Sequence, residues 1–274
     1  MKEKIKSFFE KENIEFYAVV PFSSLKVTNE GIMSRSGIAP QSAIIFLLPY
    51  YSGETENISR YAASLDYHII IKDVTERLIN LLFSEHPEKK HKGYGDHSPI
   101  DERGAAAISG LGVIGDNGLL INEKYGSYVF VAEVLTELEA DLLGKSEISE
   151  VKFCHHCGIC KRNCPTEILS GKSNLCLSEI TQRKGELSDF EIELMRKVNT
   201  VWGCDECQRA CPYNKNPIET PIKFFHEKRI GKLTREILNS MSDEEFSARA
   251  FAWRKRKTVE RNLSYFEKHD IMHT

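Results

Sequence analysis

Apolar residues in the first half of the chain switch between helical and strand-like spacing. A three-to-four-residue period predicts helices, whereas short continuous apolar runs bounded by turn residues predict buried strands. The predicted helix faces are Ile5, Phe8 and Phe9, then Val74, Leu78, Leu81 and Leu82, and the predicted strands are 16–22, 43–48 and 128–135. This alternation indicates layers of helices against a sheet.

The second half of the chain is predicted to be helical. Ser188 with Glu191, and Ser242 with Glu245, each fit the capping box that opens a helix. A terminal helix is predicted from its apolar face, which consists of Val259, Leu263 and Phe266.

The amino-acid composition is that of an ordinary globular protein and gives little further information about function. The chain has 274 residues, of which 41% are hydrophobic and 28% charged, with a net charge of −3. The N-terminus lacks the apolar core of a secretory signal, and the longest apolar run, 43–51, is shorter than the ~20 residues of a membrane helix. We therefore expect a cytoplasmic protein with no membrane partner, whose cysteines are metal ligands rather than disulfides.

All eight cysteines lie between Cys154 and Cys211 in two groups. The first group has x2, x2 and x3 spacing and ends in Cys-Pro, the pattern of two-cluster bacterial ferredoxins, in which the fourth cysteine serves the other cluster. The predicted ligands are Cys154, Cys157, Cys160 and Cys211 for cluster 1, and Cys164, Cys176, Cys204 and Cys207 for cluster 2. Both would be [4Fe–4S] clusters.

Two zinc sites are the alternative use of eight cysteines. Zinc favours separated Cys-x2-Cys pairs, so a triple at x2 spacing followed by x3-Cys-Pro fits zinc poorly. Cys176 is the least regular predicted ligand because 28 positions separate it from Cys204. His155 and His156 are interpreted as solvated loop residues or as groups that tune a cluster potential.

The segment Gly110-Leu-Gly112-Val-Ile-Gly115 fits G-x-G-x-x-G. A dinucleotide site needs a strand before this loop and a helix after it. Here an alanine-rich helical segment, 103–109, precedes the loop, and a strand-like segment, 119–122, follows it. The order excludes a Rossmann interpretation but leaves a glycine loop that a large flat ligand could approach.

Several ordered motifs extend over roughly residues 40–265. They are Arg60-Tyr61, Asp66-Tyr67-His68, Asp96-His-Ser-Pro99-Ile-Asp-Glu-Arg103, Gly110-Leu-Gly-Val-Ile-Gly115-Asp-Asn117, Leu120-Ile-Asn122, Tyr125-Gly126-Ser127, Gly203-Cys-Asp-Glu-Cys-Gln208, Cys211-Pro212 and Ser242-Asp-Glu-Glu-Phe246. Together, these motifs resemble the epoxyqueuosine reductase family.

The resemblance implies a cobalamin-dependent oxidoreductase that reduces epoxyqueuosine to queuosine in tRNA. It implies cobalamin and two [4Fe–4S] clusters as cofactors, with a low-potential ferredoxin or flavodoxin as electron donor. Asp96 matches the family's catalytic acid, and the residues expected at cobalamin are Gly110, Gly112, Gly115 and Asn117. A turn-capping role is the structural alternative for Asp96.

His68 does not match a lower cobalt ligand. The usual D-x-H-x-x-G motif would need glycine at position 71, where this chain has Ile71. We therefore expect cobalt without a protein histidine and interpret His68 as a pocket or structural residue.

The expected fold class is α+β, with three parts. An α/β cobalamin-binding domain is predicted at 1–148, a ferredoxin-like double-cluster domain at 149–217, and a helical tail at 218–274. The family's longer members continue into a helical-repeat region that helps bind tRNA, and that region is expected to be missing here.

The tail segment Arg254-Lys255-Arg256-Lys257 beside Trp253 could contact phosphates or form a solvated helix face. The substrate hypotheses are therefore tRNA and a free small molecule, and a third hypothesis is an electron-transfer protein without a catalytic site.

Overall fold

The computed structural model describes residues 1–270, without the side chains of 268–270. The chain forms two compact units. The first unit comprises Met1–Tyr50, His68–His156 and Thr220–Ile222, and the second comprises Tyr51–Tyr67, Cys157–Glu219 and the chain from Lys223 onward. The mixture of helices with an antiparallel sheet confirms the α+β class. The three-part division by sequence stays a prediction.

Helices and strands alternate up to residue 156, as the apolar spacing predicted. In chain order they are α1 (Lys2–Lys11), β1 (Tyr17–Pro21), α2 (Glu30–Ser36), β2 (Ser42–Pro49), α3 (Tyr67–Glu85), β3 (His91–Tyr94), α4 (Glu102–Ile108), β4 (Val113–Ile114), β5 (Leu120–Ile121), β6 (Val129–Thr136) and α5 (Ala140–Leu143). The main sheet has the order β1-β2-β6-β3, and every neighbouring pair is antiparallel.

Strand β2 is buried along its whole length because helices cover both faces of the sheet. On one face, Phe9 of α1 stacks on Tyr17 and meets Phe46. On the other face, Ile45 and the alanines of α4 belong to one apolar cluster. This two-sided burial explains why β2 reads as a continuous apolar run rather than an alternating one.

The glycine loop lies between α4 and a small two-stranded ribbon. In that ribbon β4 pairs with β5, with Val113 opposite Ile121 and Ile114 opposite Leu120. A helix therefore precedes the loop and a strand follows it, which is the order that excludes a Rossmann site.

The chain beyond residue 156 contains short helices joined by loops. They are α6 (Ile159–Arg162), α7 (Leu177–Gln182), α8 (Asp189–Val198), α9 (Glu206–Arg209), α10 (Arg235–Ser240), α11 (Asp243–Ser247) and α12 (Arg256–Asp270). Single 3-10 turns occur at Phe22–Ser24, Arg60–Ala62, Ile168–Ser170, Pro212–Asn214, Lys223–His226 and Ala252–Arg254. Both predicted capping boxes are present, at the starts of α8 and α11.

Helix α12 closes the core of the second unit. Val259 and Leu263 are buried in a cluster with Trp202 and Phe251, and Phe266 packs against that cluster, as the apolar spacing predicted. Between them, the buried Asn262 side chain donates hydrogen bonds to the carbonyl oxygens of Thr181 (2.7 Å) and Val201 (2.8 Å). These bonds tie α12 to the chain just before Cys204.

A tight backbone approach fixes that same segment. Gly203 has a φ of +74°, and a Cβ built there would lie 2.4 Å from Cβ of Ser59. We expect Gly203→Ala to lower the free energy of unfolding by about 2–5 kcal/mol, because a left-handed conformation and a backbone-level clash add together. Thermal unfolding of the anaerobic protein measures this.

Gly185→Ala is the matched control, because Gly185 has a φ of +86° with no atom within 4 Å of the built Cβ. It should cost about 1–2 kcal/mol from conformation alone. Equal unfolding temperatures for the two variants would contradict the packing argument.

Candidate functional site

Asp96 lies in the turn after β3 with a left-handed backbone, at a φ of +66°. Such a φ is uncommon outside glycine, although Asp and Asn tolerate it best. The Asp96 side chain is 63% exposed, and its Oδ2 lies 3.6 Å from Nε2 of His68. The turn therefore presents a carboxyl group outward beside an imidazole.

Two glutamates lie behind this turn. The backbone N–H of Asp96 donates to Oε1 of Glu102 at 2.9 Å. Glu133, on β6, is fully buried, and its Oε1 accepts a hydrogen bond from the Ser98 hydroxyl. Its Oε2 has no hydrogen-bond partner among residues 1–270. The backbone of Asp96 is thus held by a carboxyl group that itself neighbours a second, buried one.

Burial, together with a neighbouring carboxylate, raises the pKa of each glutamate. Burial raises the pKa of Glu133 well above its usual range, and the nearby charge of Glu102 raises it further. Burial, followed by the charge of Asp96, outweighs the Asp96 N–H bond and raises the pKa of Glu102 to about 7. We infer that Glu133 is neutral near pH 7, since two adjacent buried carboxylates would repel each other. Glu102 then titrates close to neutrality.

The residues predicted to contact cobalamin differ in whether their surroundings within the protein leave free space or an unpaired polar atom. A Cβ at Gly112 would lie 2.6 Å from the Ile121 carbonyl oxygen, and one at Gly115 would lie 2.4 Å from Oδ1 of Asn117, so the ribbon itself requires both glycines. Gly110, in contrast, has open space where a Cβ would stand. The Nδ2 of Asn117 is buried without a partner in the described chain. A bound ligand with a polar group could accept the unused Asn117 N–H and occupy the space next to Gly110.

The cysteine segment forms two similar halves. Cys160 lies on α6 and Cys207 on α9, two one-turn helices that pack together. Each helix is followed by a Cys-Pro pair, at Cys164 and at Cys211. Cys154 belongs to the first compact unit, whereas the other seven cysteines belong to the second.

Two cysteines of predicted cluster 2 act electrostatically on a third. Burial, with smaller contributions from the charges of Cys176 and Cys207, raises the pKa of Cys204 to about 12. The structure therefore places the irregular Cys176 near enough to Cys204 to affect its thiol. A buried thiol of this kind stays protonated unless a cationic metal centre compensates the charge of the thiolate.

Cys164 has the opposite environment. Burial alone would raise its pKa, but the backbone N–H groups at Leu169, Thr166 and Ile168, together with the Thr166 hydroxyl, lower it. Backbone N–H groups that point at a sulfur favour the thiolate, which is the form that binds metal.

His156 is fixed next to a predicted cluster ligand. Its Nδ1 lies 2.7 Å from Oδ1 of Asp116, and one ligand atom from each of Asp116, His156 and Cys154 falls within 4.8 Å of the others. The Cys154 N–H also donates to the Ile114 carbonyl oxygen at 3.0 Å. His156 thus contacts Asp116 beside a predicted cluster ligand, while its side chain stays 62% exposed. His155 also interacts with other residues, and we assign it no function.

A buried aspartate anchors the second cysteine group. Asp205 accepts hydrogen bonds from the Ser59 hydroxyl and from the Arg60 N–H, the latter at 2.7 Å. The Arg60 guanidinium lies 3.5 Å from the same carboxylate. The Trp202 indole N–H donates to the Tyr61 hydroxyl at 2.9 Å. The Arg60-Tyr61 motif thus holds the chain on both sides of Cys204.

Sequence reasoning gave no role to Glu102 or Glu133. Glu102 lay unremarked inside the Asp96–Arg103 motif. Glu133 carried a usable signal, because it is a charged residue in the middle of the apolar strand 128–135. A buried carboxyl at such a position rarely occurs without a specific partner.

The Glu102 carboxyl should make stability depend on pH. Its folded-state pKa of about 7 exceeds the ordinary value of 4.5. Its stabilising effect is therefore full below pH 4.5 and is lost as the pH rises through about 7. We expect Glu102→Gln to reduce the fall in melting temperature between about pH 5 and pH 7.5.

Glu150→Gln is the control, because Glu150 is exposed and in no ion pair within the described part of the chain. Its melting profile should follow that of the unmodified protein. A Glu102→Gln profile that also follows it would contradict the raised pKa.

Comparison with known proteins identifies the cysteine segment. Residues 153–214 match the family described as a 4Fe-4S double cluster binding domain. The two predicted clusters are therefore supported over zinc. Among described residues, no helix is long and apolar enough to cross a membrane.

Similar proteins cover most of this chain. Epoxyqueuosine reductase from Staphylococcus aureus is 31% identical over an alignment of 220 residues. The alignment covers 76% of this chain and 56% of that protein. The chain therefore spans just over half the length of this relative.

Solved structures share the fold. The structure of epoxyqueuosine reductase from Streptococcus thermophilus aligns over 97% of this chain and 80% of its own, with 22% identity and a TM-score of 0.77. An epoxyqueuosine reductase solved with an epoxyqueuosine-modified tRNA-Tyr stem loop gives the same TM-score, with 22% identity over 96% of this chain and 80% of its own. By sequence and by fold, the chain belongs to the family of the epoxyqueuosine reductases.

Proposed function

We propose that this protein is a cobalamin-dependent iron–sulfur oxidoreductase that reduces epoxyqueuosine to queuosine in tRNA. The observation that carries the proposal is the outward-facing carboxyl of Asp96, on a turn held by Glu102, in a chain that also has a double-cluster segment. A proton donor and an electron path are the two things that a reductive deoxygenation needs.

Asp96 supplies the proton donor. Removal of an epoxide oxygen takes up two electrons and two protons, leaves a carbon–carbon double bond and releases the oxygen as water. Asp96 protonates the departing oxygen through its carboxyl group, and His68 at 3.6 Å stabilises the carboxylate that results. Glu102 positions Asp96 by accepting its backbone N–H.

The first unit offers residues that fit a bound cobalamin. Gly110 leaves open space, and the orphaned Nδ2 of Asn117 is a donor for a polar group of the corrin. Gly112 and Gly115 leave no room for a side chain within the ribbon. A bound cobalamin supplies a strongly reducing cobalt centre, which no side chain can replace.

The clusters carry the electrons. We assign Cys154, Cys157, Cys160 and Cys211 to one [4Fe–4S] cluster, and Cys164, Cys176, Cys204 and Cys207 to the other, from the ligand spacing. The electrostatic influence of Cys176 and Cys207 on the Cys204 thiol supports the second set. A low-potential donor of ferredoxin or flavodoxin type, in the cytoplasm, would reduce them.

The tRNA substrate is supported by relatives. Epoxyqueuosine reductase from Staphylococcus aureus is 31% identical to this chain over the aligned part of the two proteins, and a structure of the same fold holds a modified tRNA stem loop. In this chain, Arg254 stacks on the exposed Trp253 ring at 3.8 Å, an arrangement that nucleic-acid surfaces use. Arg256 is instead occupied by carbonyl oxygens of Leu238 and Met241.

Asp96→Asn should remove turnover while both clusters remain. Loss of the acid should slow conversion of epoxyqueuosine by about 10²–10⁴-fold. Nucleoside analysis of tRNA after anaerobic reaction with reconstituted protein measures it. Asp73→Asn, an exposed change on α3, is the control and should keep normal activity.

An Asp96→Asn protein with unimpaired conversion would exclude this acid role and favour a bare electron-transfer protein. Absence of any conversion by the unmodified protein would exclude the proposed substrate.

Cys176→Ser should lose one cluster and keep the other. Serine is a poor substitute for a thiolate ligand, so iron per chain should fall by about half. Ser178→Ala, two residues along, is the control and should keep the full iron content. Full iron in the Cys176 variant would show that its thiol is not a ligand.

A further inference from the structure

A cavity of about 560 Å³ in the second unit is unusually rich in positive charge. Lys228, Arg229, Lys232 and Arg249 line it, with Glu245 as the lining carboxylate. Its volume lies within the range of ligand pockets in proteins.

Arg249 is the key observation, because it is only 6% exposed. Its Nη1 donates to the carbonyl oxygens of Lys228 (2.6 Å) and Ser64 (3.3 Å), which fixes the guanidinium in place. Its Nε has no partner, and it forms no ion pair within residues 1–270. Burial lowers the pKa of Arg249, and Glu245 offsets this only in part. Buried charges in proteins are normally paired, so a counter-anion is missing.

The other cationic side chains of the cavity are also available to bind an anion. Arg229 donates to the Glu54 carbonyl oxygen, which orients it without neutralising its charge. Its Nε is likewise buried without a partner in the described chain. Lys228, with a φ of +47°, is exposed at the rim. Lys232 is paired with Glu56 at 2.8 Å, so three of the four cations lack a carboxylate partner among the described residues.

Part of the remaining lining is apolar. Ile230, Ile237 and Met241 line the same cavity, together with Gly231 and Ser240. Guanidinium groups that are held in place bind phosphate oxygens in a forked geometry, and apolar walls suit a flat organic group attached to that phosphate.

We propose that this cavity binds a nucleotide phosphate, either in the backbone of RNA or in a free nucleotide. The RNA source rests on the proposed function, whereas the free-nucleotide source does not. Arg249 and Arg229 bind the phosphate oxygens, and Lys228 adds charge at the entrance. Neither Asp96 nor any cysteine lines the cavity.

The test uses the full chain, purified without air and carrying its clusters. The probes are an unmodified tRNA-Tyr anticodon stem loop and AMP, and the measurement is the dissociation constant of each at several salt concentrations. The variants are Lys228→Gln with Lys232→Gln, which changes exposed residues, and Arg249→Lys, which keeps the charge but removes the fork. Lys184→Gln with Lys197→Gln removes two exposed lysines that do not line the cavity.

We expect the Lys228/Lys232 variant to weaken binding by about tenfold and to reduce the salt dependence of binding by about one to two ions. Arg249→Lys should also weaken binding, with an unchanged melting temperature as evidence of folding. The control pair should bind as the unmodified protein does. Stem-loop binding without competition from AMP would identify RNA as the source, and AMP competition would identify a free nucleotide.

Failure of both probes to bind, or equal affinities of the Lys228/Lys232 and control variants, would overturn the proposal. Epoxyqueuosine conversion is measured on the same preparations. If the protein converts epoxyqueuosine but the lysine changes leave binding unaltered, only the phosphate site is contradicted. If the probes bind through the cavity but no epoxyqueuosine is converted, only the proposed function is contradicted.

Discussion

The burial of the Cys204 thiol, within the electrostatic reach of Cys176 and Cys207, is the constraint on which the second unit depends. Burial and the charges of these two cysteines raise the pKa of Cys204 to about 12, so its thiolate needs a compensating positive charge. Iron supplies that charge in an iron–sulfur cluster, and the match of 153–214 to a double-cluster family agrees. The loops around these cysteines contain little regular structure, so metal binding and folding should be coupled.

The surrounding residues fix the backbone next to Cys204. Gly203 permits a close approach to Ser59, Asp205 is fixed by the Ser59 and Arg60 groups, and Asn262 ties the last helix to the same segment. A comparable arrangement occurs in the first unit, where the carboxyl of Glu102 accepts the backbone N–H of Asp96 in its left-handed turn. In both places, polar groups fix the backbone of a functional segment, and their desolvation offsets part of the stability that they contribute.

Much of this was predictable from sequence because local patterns have local causes. The apolar runs gave β1, β2 and β6, the capping boxes gave α8 and α11, and the cysteine spacing gave the double-cluster segment. The carboxyl pair was not predictable, because Glu102 and Glu133 come together only when α4 packs on β6. The cationic cavity was missed for the same reason, since Lys228 and Arg249 lie 21 positions apart in the chain. Gly112 and Gly115 were predicted as cobalamin contacts. The structure gives each a second reason to be glycine, because a side chain there would clash within the ribbon.

Mössbauer spectroscopy of protein grown with ⁵⁷Fe and purified without air tests the central claim most directly. The account predicts that essentially all iron belongs to [4Fe–4S] clusters, at about two clusters per chain. A spectrum of isolated iron ions, or a preparation that holds zinc and no iron, would contradict it.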